Sequence, residues 1–161
     1  MNRKVRTCLW FDGMGEEAAR FYVSLLPDSR IETVYRPDAD RPPMVVEFTL
    51  SGAPYMALNG GPHFTFSEAA SISVLTEDQA ETDRLWAALI EGGAAGRCGW
   101  LKDRFGLSWQ VVPKTLVRLI NDPDRAAAGR AQAAMMTMDR LEIAGLEAAF
   151  RGDLSPKEQS R

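Results

Sequence analysis

Hydrophobic and polar positions between residues 5 and 36 set a pattern that the chain then repeats. Val5, Thr7, Leu9 and Phe11 alternate as one face of a strand over residues 5–11. Ala18, Phe21, Tyr22, Leu25 and Leu26 follow at i, i+3, i+4, i+7 and i+8, the stripe that a helix buries. Pro27-Asp28 stops that helix, and residues 31–35 read as a second strand. The stretch from Met44 to Leu50 alternates, and Ser51-Gly52-Ala53-Pro54 turns it into Tyr55 to Leu58, which makes a hairpin. The order is strand, helix, strand, strand, strand.

The same order recurs. Ser71 to Leu75 is strand-like, and Thr76 and Gln79 have the spacing of a capping box. Thr82, Leu85, Trp86, Leu89 and Ile90 repeat the first helix's stripe, and Gly92-Gly93 ends it. Gly99 to Lys102 and Leu107 to Val112 then bracket the turn Asp103-Arg104-Phe105-Gly106. Superposing the helices places Phe21 on Leu85 and Thr7 on Ser71. Superposing the turns places Gly52 on Gly106, Tyr55 on Trp109 and Met56 on Gln110. The repeat is weak in identity and consistent in pattern.

The expected architecture is α+β. One βαβββ module spans 4–59, a linker containing Gly60-Gly61-Pro62 spans 60–70, and a second module spans 71–113. A helical segment over 114–151 and a frayed tail over 152–161 complete the chain. Within that segment Asp122-Pro123 predicts the N-cap and first residue of an alanine-rich helix reaching about Met136. Asp139 and Glu142 predict a second helix start. The alanines and methionines there suit close packing against a sheet or a second subunit.

Composition narrows the function more than it defines it. In 161 residues, 45% hydrophobic content supports a core, and a net charge of −3 gives no global attraction for nucleic acid. No apolar run reaches membrane-spanning length, and no apolar signal segment follows the basic stretch from Met1 to Arg6. A cytoplasmic location is the expectation, with Cys8 and Cys98 reduced.

Three strings of residues resemble a known family. They are Leu9-Trp10-Phe11-Asp12-Gly13 with Glu16-Glu17-Ala18 and Phe21-Tyr22; Leu58-Asn59-Gly60-Gly61-Pro62 with Phe64 and Phe66; and Cys98 to Asp103 continuing through Phe105 to Pro113. They are similar to the PhnB-like branch of the vicinal-oxygen-chelate superfamily, the glyoxalase/bleomycin-resistance fold. Some of its members carry the label 3-demethylubiquinone-9 3-methyltransferase. The resemblance implies paired βαβββ modules whose curved mixed sheets enclose a cavity, and a homodimer, with modules arranged or exchanged across the two chains. The methyltransferase label finds little support in the residues. Gly13-Met14-Gly15 is a thin echo of a nucleotide-binding turn, and the strand order is wrong for a doubly wound sheet.

In metal-using members of the superfamily, His and Glu on cavity-facing strands hold a divalent ion. Mapping that pattern here reaches Thr7, Met56, Ser71 and Gln110, with the first position free to slip to Arg6 or Cys8. These are poor ligands for such an ion, and the single histidine, His63, falls in the linker. No metal and no cofactor are expected.

Candidate chemistry then rests on few residues. Cys98 is the nucleophile inside the most specific string, although Lys102 on the same strand face would lie about 13 Å away. Asp12 is the second catalytic candidate, while Asp103 suits a turn-holding role and Cys8 plain packing. Trp10, Trp100 and Trp109 would stack on a flat or apolar ligand, and Asn59 and Gln110 would supply hydrogen bonds. Three readings follow. The first is a small-molecule-binding protein with a metal-less cavity. The second is a metal-independent enzyme using Cys98, Asp12 or Gln110, and the third is a dimer that engages a protein partner through its C-terminal helices.

Overall fold

A computed structural model describes residues 4–153. The chain divides into two compact units, Met1–Phe66 and Ser67–Arg161. The described residues form five helices and two open four-stranded mixed sheets, an α+β fold. The tail expected over 152–161 lies outside the described residues from 154 onward.

In the first unit the order is β1 (Thr7–Phe11), α1 (Gly15–Leu25), β2 (Arg30–Tyr35), β3 (Val45–Leu50) and β4 (Ala53–Asn59). The sheet runs β1-β4-β3-β2, with β1 parallel to β4 and the other pairs antiparallel. Helix α1 packs on β3 and β4. It buries Ala18, Ala19, Tyr22 and Leu25 on the sheet side that carries Leu9, Phe11, Val46, Phe48 and Ala57. Full burial of a side chain such as Phe48 contributes roughly 1.5–3 kcal/mol. Ser51 and Gly52 both take positive φ, at 44° and 82°, as the tight β3–β4 turn requires.

In the second unit the order is β5 (Ser71–Thr76), α2 (Gln79–Ile90), β6 (Ala94–Ala95), β7 (Trp100–Lys102) and β8 (Ser108–Pro113). This sheet runs β5-β8-β7-β6, with β5 parallel to β8. Ile72, Val74, Leu101, Trp109 and Val111 form its buried face, and α2 supplies Leu85, Trp86 and Leu89. Helices α3 (Lys114–Ile120), α4 (Arg125–Met135) and α5 (Ile143–Arg151) follow. They close around Leu116, Leu119, Ala131, Leu141 and Leu146.

Several local expectations change. Helix α3 lies inside the expected helical segment but was not resolved as an element of its own, although Leu116 and Leu119 stand three apart and both are buried. Asp124 caps α4 in place of Asp122, accepting from the amide of Ala127 at 3.0 Å, while Asp122 accepts from the amide of Asp124. Asp78 caps α2 by accepting from the amide of Glu81, whose side chain reaches back beyond the cap to accept from the amide of Glu77. That leaves Gln79 free for a longer reach. Its amide nitrogen donates to the Leu141 carbonyl, and its oxygen accepts from the Ile143 amide at 2.8 Å, which fixes the start of α5.

The superposition of the two modules also changes by one residue. Three residues connect β1 to α1, and two connect β5 to α2. Counting back from the helices therefore puts β1 out of phase with β5. Leu9 and Phe11 are the buried positions of one strand, and Ile72, Val74 and Thr76 are those of the other. A one-residue slip moves every side chain to the opposite face. The true counterpart of Ser73 is Cys8. Cys8 pairs in register with Met56, as Ser73 pairs with Gln110.

Candidate ligand-binding site

Each sheet has one face turned to its helix and one turned away. On the face of the first sheet turned away from α1, the register aligns Cys8, Met56 and Glu47, and beside them Trp10, Leu58 and Val45. Arg6 anchors the polar end of this face. Its guanidinium donates to the carbonyls of Phe48 and Tyr55, pairs with Glu32, and stands 3.4 Å from Glu47. Glu32 occupies the bulge in β2 and also accepts from the Thr49 hydroxyl at 2.5 Å. Those two hydrogen bonds hold its carboxyl below the ordinary carboxylate range. The Arg6 donors are spent inside the network, so its positive charge is not offered to a ligand.

On the face of the second sheet turned away from α2, Ser71, Ser73, Gln110, Trp100, Lys102 and Ser108 come together. The Gln110 amide donates to the Ser71 hydroxyl at 2.9 Å, and Trp100 is Gln110's register partner on β7. Lys102 pairs with Glu68 at 2.6 Å. A pocket of 270 Å³ opens here, lined in part by Trp100, Lys102 and Ser108. A second pocket, of 360 Å³, lies in the first unit among Asp12, Asp38, Arg41, Pro42 and Met44.

Not every predicted site residue stands on these faces. Met56, Trp10, Ser71, Trp100 and Gln110 do. Thr7 does not, since it shares the phase of Leu9 and Phe11 on the α1 side. Trp109 is 1% exposed in the core, where its indole nitrogen donates to Asp103 at 2.9 Å. Asn59 lines the 360 Å³ pocket and is also a clip, accepting from the Gly15 amide at 2.9 Å and donating to the Pro43 carbonyl at 2.7 Å. A Cβ on Gly15 would stand 2.9 Å from the Asn59 oxygen, so this approach requires glycine. The indole of Trp10 donates to the Gly61 carbonyl and meets Phe64 edge-on, so the beginning of the expected linker packs on the first unit.

The catalytic candidates are placed as follows. Cys98 sits at a turn with φ of 59°, its amide donating to the Met138 carbonyl and its sulfur 3.6 Å from that of Met136. Asp12 is exposed at the rim of the 360 Å³ pocket. Cys8, expected to be packed, is exposed, and partial desolvation pushes its thiol up. His63 is exposed. Arg6, Glu32, Glu47, Glu68 and Ser108 were not selected as site residues from the sequence. Of these, Ser108 could have been found, because it and Lys102 are polar residues flanking the Asp103 turn at opposed places in largely apolar strands.

The donor set does not fit a divalent metal. Of the positions onto which the superfamily's metal pattern maps, Met56 stands beside Cys8 on one sheet and Gln110 beside Ser71 on the other, while Thr7 lies on the α1 side. A protonated thiol, a thioether, a hydroxyl and an amide offer a hard cation little basicity. Among the described residues no three His, Cys, Asp or Glu side chains come together as a metal site.

Duplicated βαβββ units, each with its helix on one side of an open mixed sheet, define the vicinal-oxygen-chelate fold. A family model described as 3-demethylubiquinone-9 3-methyltransferase matches residues 3–112, and the chain belongs to that family. It is 33% identical to a PhnB protein from Bacillus cereus, with a TM-score of 0.64, covering 69% of this chain and 99% of that one. A protein from Pseudomonas aeruginosa, 24% identical with a TM-score of 0.58, covers 70% of this chain and 98% of its own. The fosfomycin resistance protein FosX from Mesorhizobium loti is 12% identical, with a TM-score of 0.49, over 70% of this chain and 91% of its own. No curated protein matches the chain. The family match ends before α3 begins.

Proposed function

We propose that this chain binds a small, partly apolar molecule on the sheet faces turned away from α1 and α2, and does so without a divalent ion. The observation that carries this reading is the Gln110–Ser71 pair beside Trp100. An amide and a hydroxyl held together on a half-exposed sheet face retain a carbonyl oxygen and a second N–H for a ligand. The indole beside them supplies a flat apolar surface. Met56, Leu58 and Trp10 give the corresponding face of the first sheet the same partly apolar character.

The methyl transfer in the family's description draws no support from the geometry. Gly15, which opens the helix after the Gly13 turn, already gives its amide to Asn59. Each sheet has one parallel strand pair and two antiparallel ones, where a doubly wound nucleotide-binding sheet is mostly parallel. Covalent catalysis by Cys8 is disfavoured by its raised thiol pKa, which keeps the nucleophilic thiolate scarce.

Catechol is a suitable neutral, planar probe. The expected result is that it perturbs the backbone amide resonances of β7 and β8, and that Gln110→Leu removes the effect. S-adenosylmethionine is expected to leave the spectrum unchanged. If catechol perturbs no residue on these faces, or if S-adenosylmethionine binds there, the reading is wrong.

A further inference from the structure

Ser108 is 2% exposed, and its hydroxyl is the one buried side-chain polar atom among the described residues without a hydrogen-bond partner. Burying a hydroxyl unpaired costs about 1–3 kcal/mol, so a hydroxyl left this way calls for an occupant. It lines the 270 Å³ pocket together with Lys102, Trp100, Glu68, Ala94 and Ala95. Lys102 is its register partner across β7 and β8. Directly opposed positions hold their Cβ atoms about 4.5–5.5 Å apart, so the ammonium and the hydroxyl can reach one group together.

Glu68 shows what that group is. Its carboxylate lies 2.6 Å from the Lys102 nitrogen, and this contact lowers its pKa. Glu68 satisfies the ammonium and leaves the Ser108 hydroxyl unpaired. Its side chain is 65% exposed, so returning it to water costs little.

We propose that this pocket is a carboxylate seat. Lys102 and Ser108 hold the carboxylate of a small aromatic acid whose ring lies along Trp100, and Glu68 fills the seat until the ligand displaces it. This rests on the binding reading above and adds the ligand's charge and the place of its anchor. One ammonium and one hydroxyl match a singly charged carboxylate, and the alanines of β6 leave room for an apolar body. No bond is made or broken.

Benzoate is the probe, with benzamide as its neutral isostere and inorganic phosphate as a plain anion. Titration followed by amide resonances of β7 and β8 should show benzoate binding about tenfold or more tighter than benzamide. Glu68→Gln should tighten benzoate by up to about fivefold, the measure of an exposed ion pair removed. Ser108→Ala should weaken it by about tenfold or more, the loss of a hydrogen bond to a charged acceptor. Lys102→Met should abolish it. The thermal midpoint of each variant verifies folding. Equal binding of benzamide, competition by phosphate as strong as that of benzoate, or unchanged affinity in Glu68→Gln and Ser108→Ala would each overturn the seat. Should catechol bind where benzoate does not, the carboxylate assignment fails and the binding reading stands. Failure of both probes removes both.

Discussion

Asparagine at position 103 keeps the shape of the aspartate and changes one atom from acceptor to donor. One Asp103 oxygen accepts from the amides of Phe105 at 2.9 Å and Leu107 at 3.0 Å, and the other accepts from the Trp109 indole at 2.9 Å. Asp103 is 3% exposed and Trp109 is 1% exposed, so water cannot substitute. In Asp103→Asn the side-chain oxygen keeps the two backbone amides, and the new NH₂ then faces the indole N–H. A hydrogen bond to a charged acceptor is worth about 1.5–3 kcal/mol, and each orphaned buried donor costs about 1–3 kcal/mol. Because these contributions overlap, the expected destabilisation is about 3 kcal/mol. At this chain length that lowers the thermal midpoint by about 6–12 °C. Urea unfolding of the wild type, Asp103→Asn, Trp109→Phe and the double variant measures it, read by fluorescence and circular dichroism. Removing the indole N–H should relieve part of the asparagine's cost, giving a coupling of about 1 kcal/mol. A loss below about 1 kcal/mol in Asp103→Asn, or additivity within about 0.5 kcal/mol, would refute this account of the turn.

Three further outcomes follow from the same structure. Without ligand, Ser108→Ala should be neutral or stabilising by up to about 1 kcal/mol in denaturant unfolding, because it removes an unpaired buried hydroxyl; a comparable loss would show that the hydroxyl has a partner. Glu32 has a folded pKa below its unfolded value, so it contributes stability above the ordinary carboxylate pKa of about 4.3 that is lost as pH falls through the folded value. Unfolding curves from pH 7 to pH 3 should therefore be flatter in Glu32→Gln than in wild type, and parallel curves would contradict the Arg6–Thr49 network. Gln79→Ala should cost about 1–2 kcal/mol and raise hydrogen exchange at the start of α5, where unchanged protection would mean that the clip is dispensable.

Much of the fold is legible in the sequence because burial imposes periodicity. Both helical stripes, both hairpin turns and the strand order could be read from residue spacing. What could not be read was phase across a connection. Thr7 and Ser71 were paired by counting back from the helices, and a loop one residue longer carried that count onto the wrong face of β1. Trp109 illustrates a second limit. An indole on a strand suits either a ligand or a core, and only its hydrogen bond to Asp103 distinguishes them. Asn59 lines the 360 Å³ pocket, and its second role as a clip was not legible because it depends on Gly15 and Pro43, which are distant in sequence. Met56 and Gln110 fall on the sheet faces turned away from the helices, in the common phase that the turns implied, because the hairpin turns lie next to the strands that they register. Glu32 gave no signal at all, since a bulge leaves no mark in residue pattern.

The unequal connections before α1 and α2 say something about how such a duplicated protein can change. Each strand's facing is fixed by its neighbours in the sheet, and the helix is joined to it by a short, adjustable tether. A residue gained or lost in the tether is absorbed there and leaves the exposed chemistry untouched. The same event inside β1 or β5 would exchange an entire row of side chains at once. Descendants of one ancestral module can thus drift in the tether while their strands stay aligned. For such proteins, comparison should be anchored on the paired strands, because counting from the helices mistakes a spacer for a shift of site.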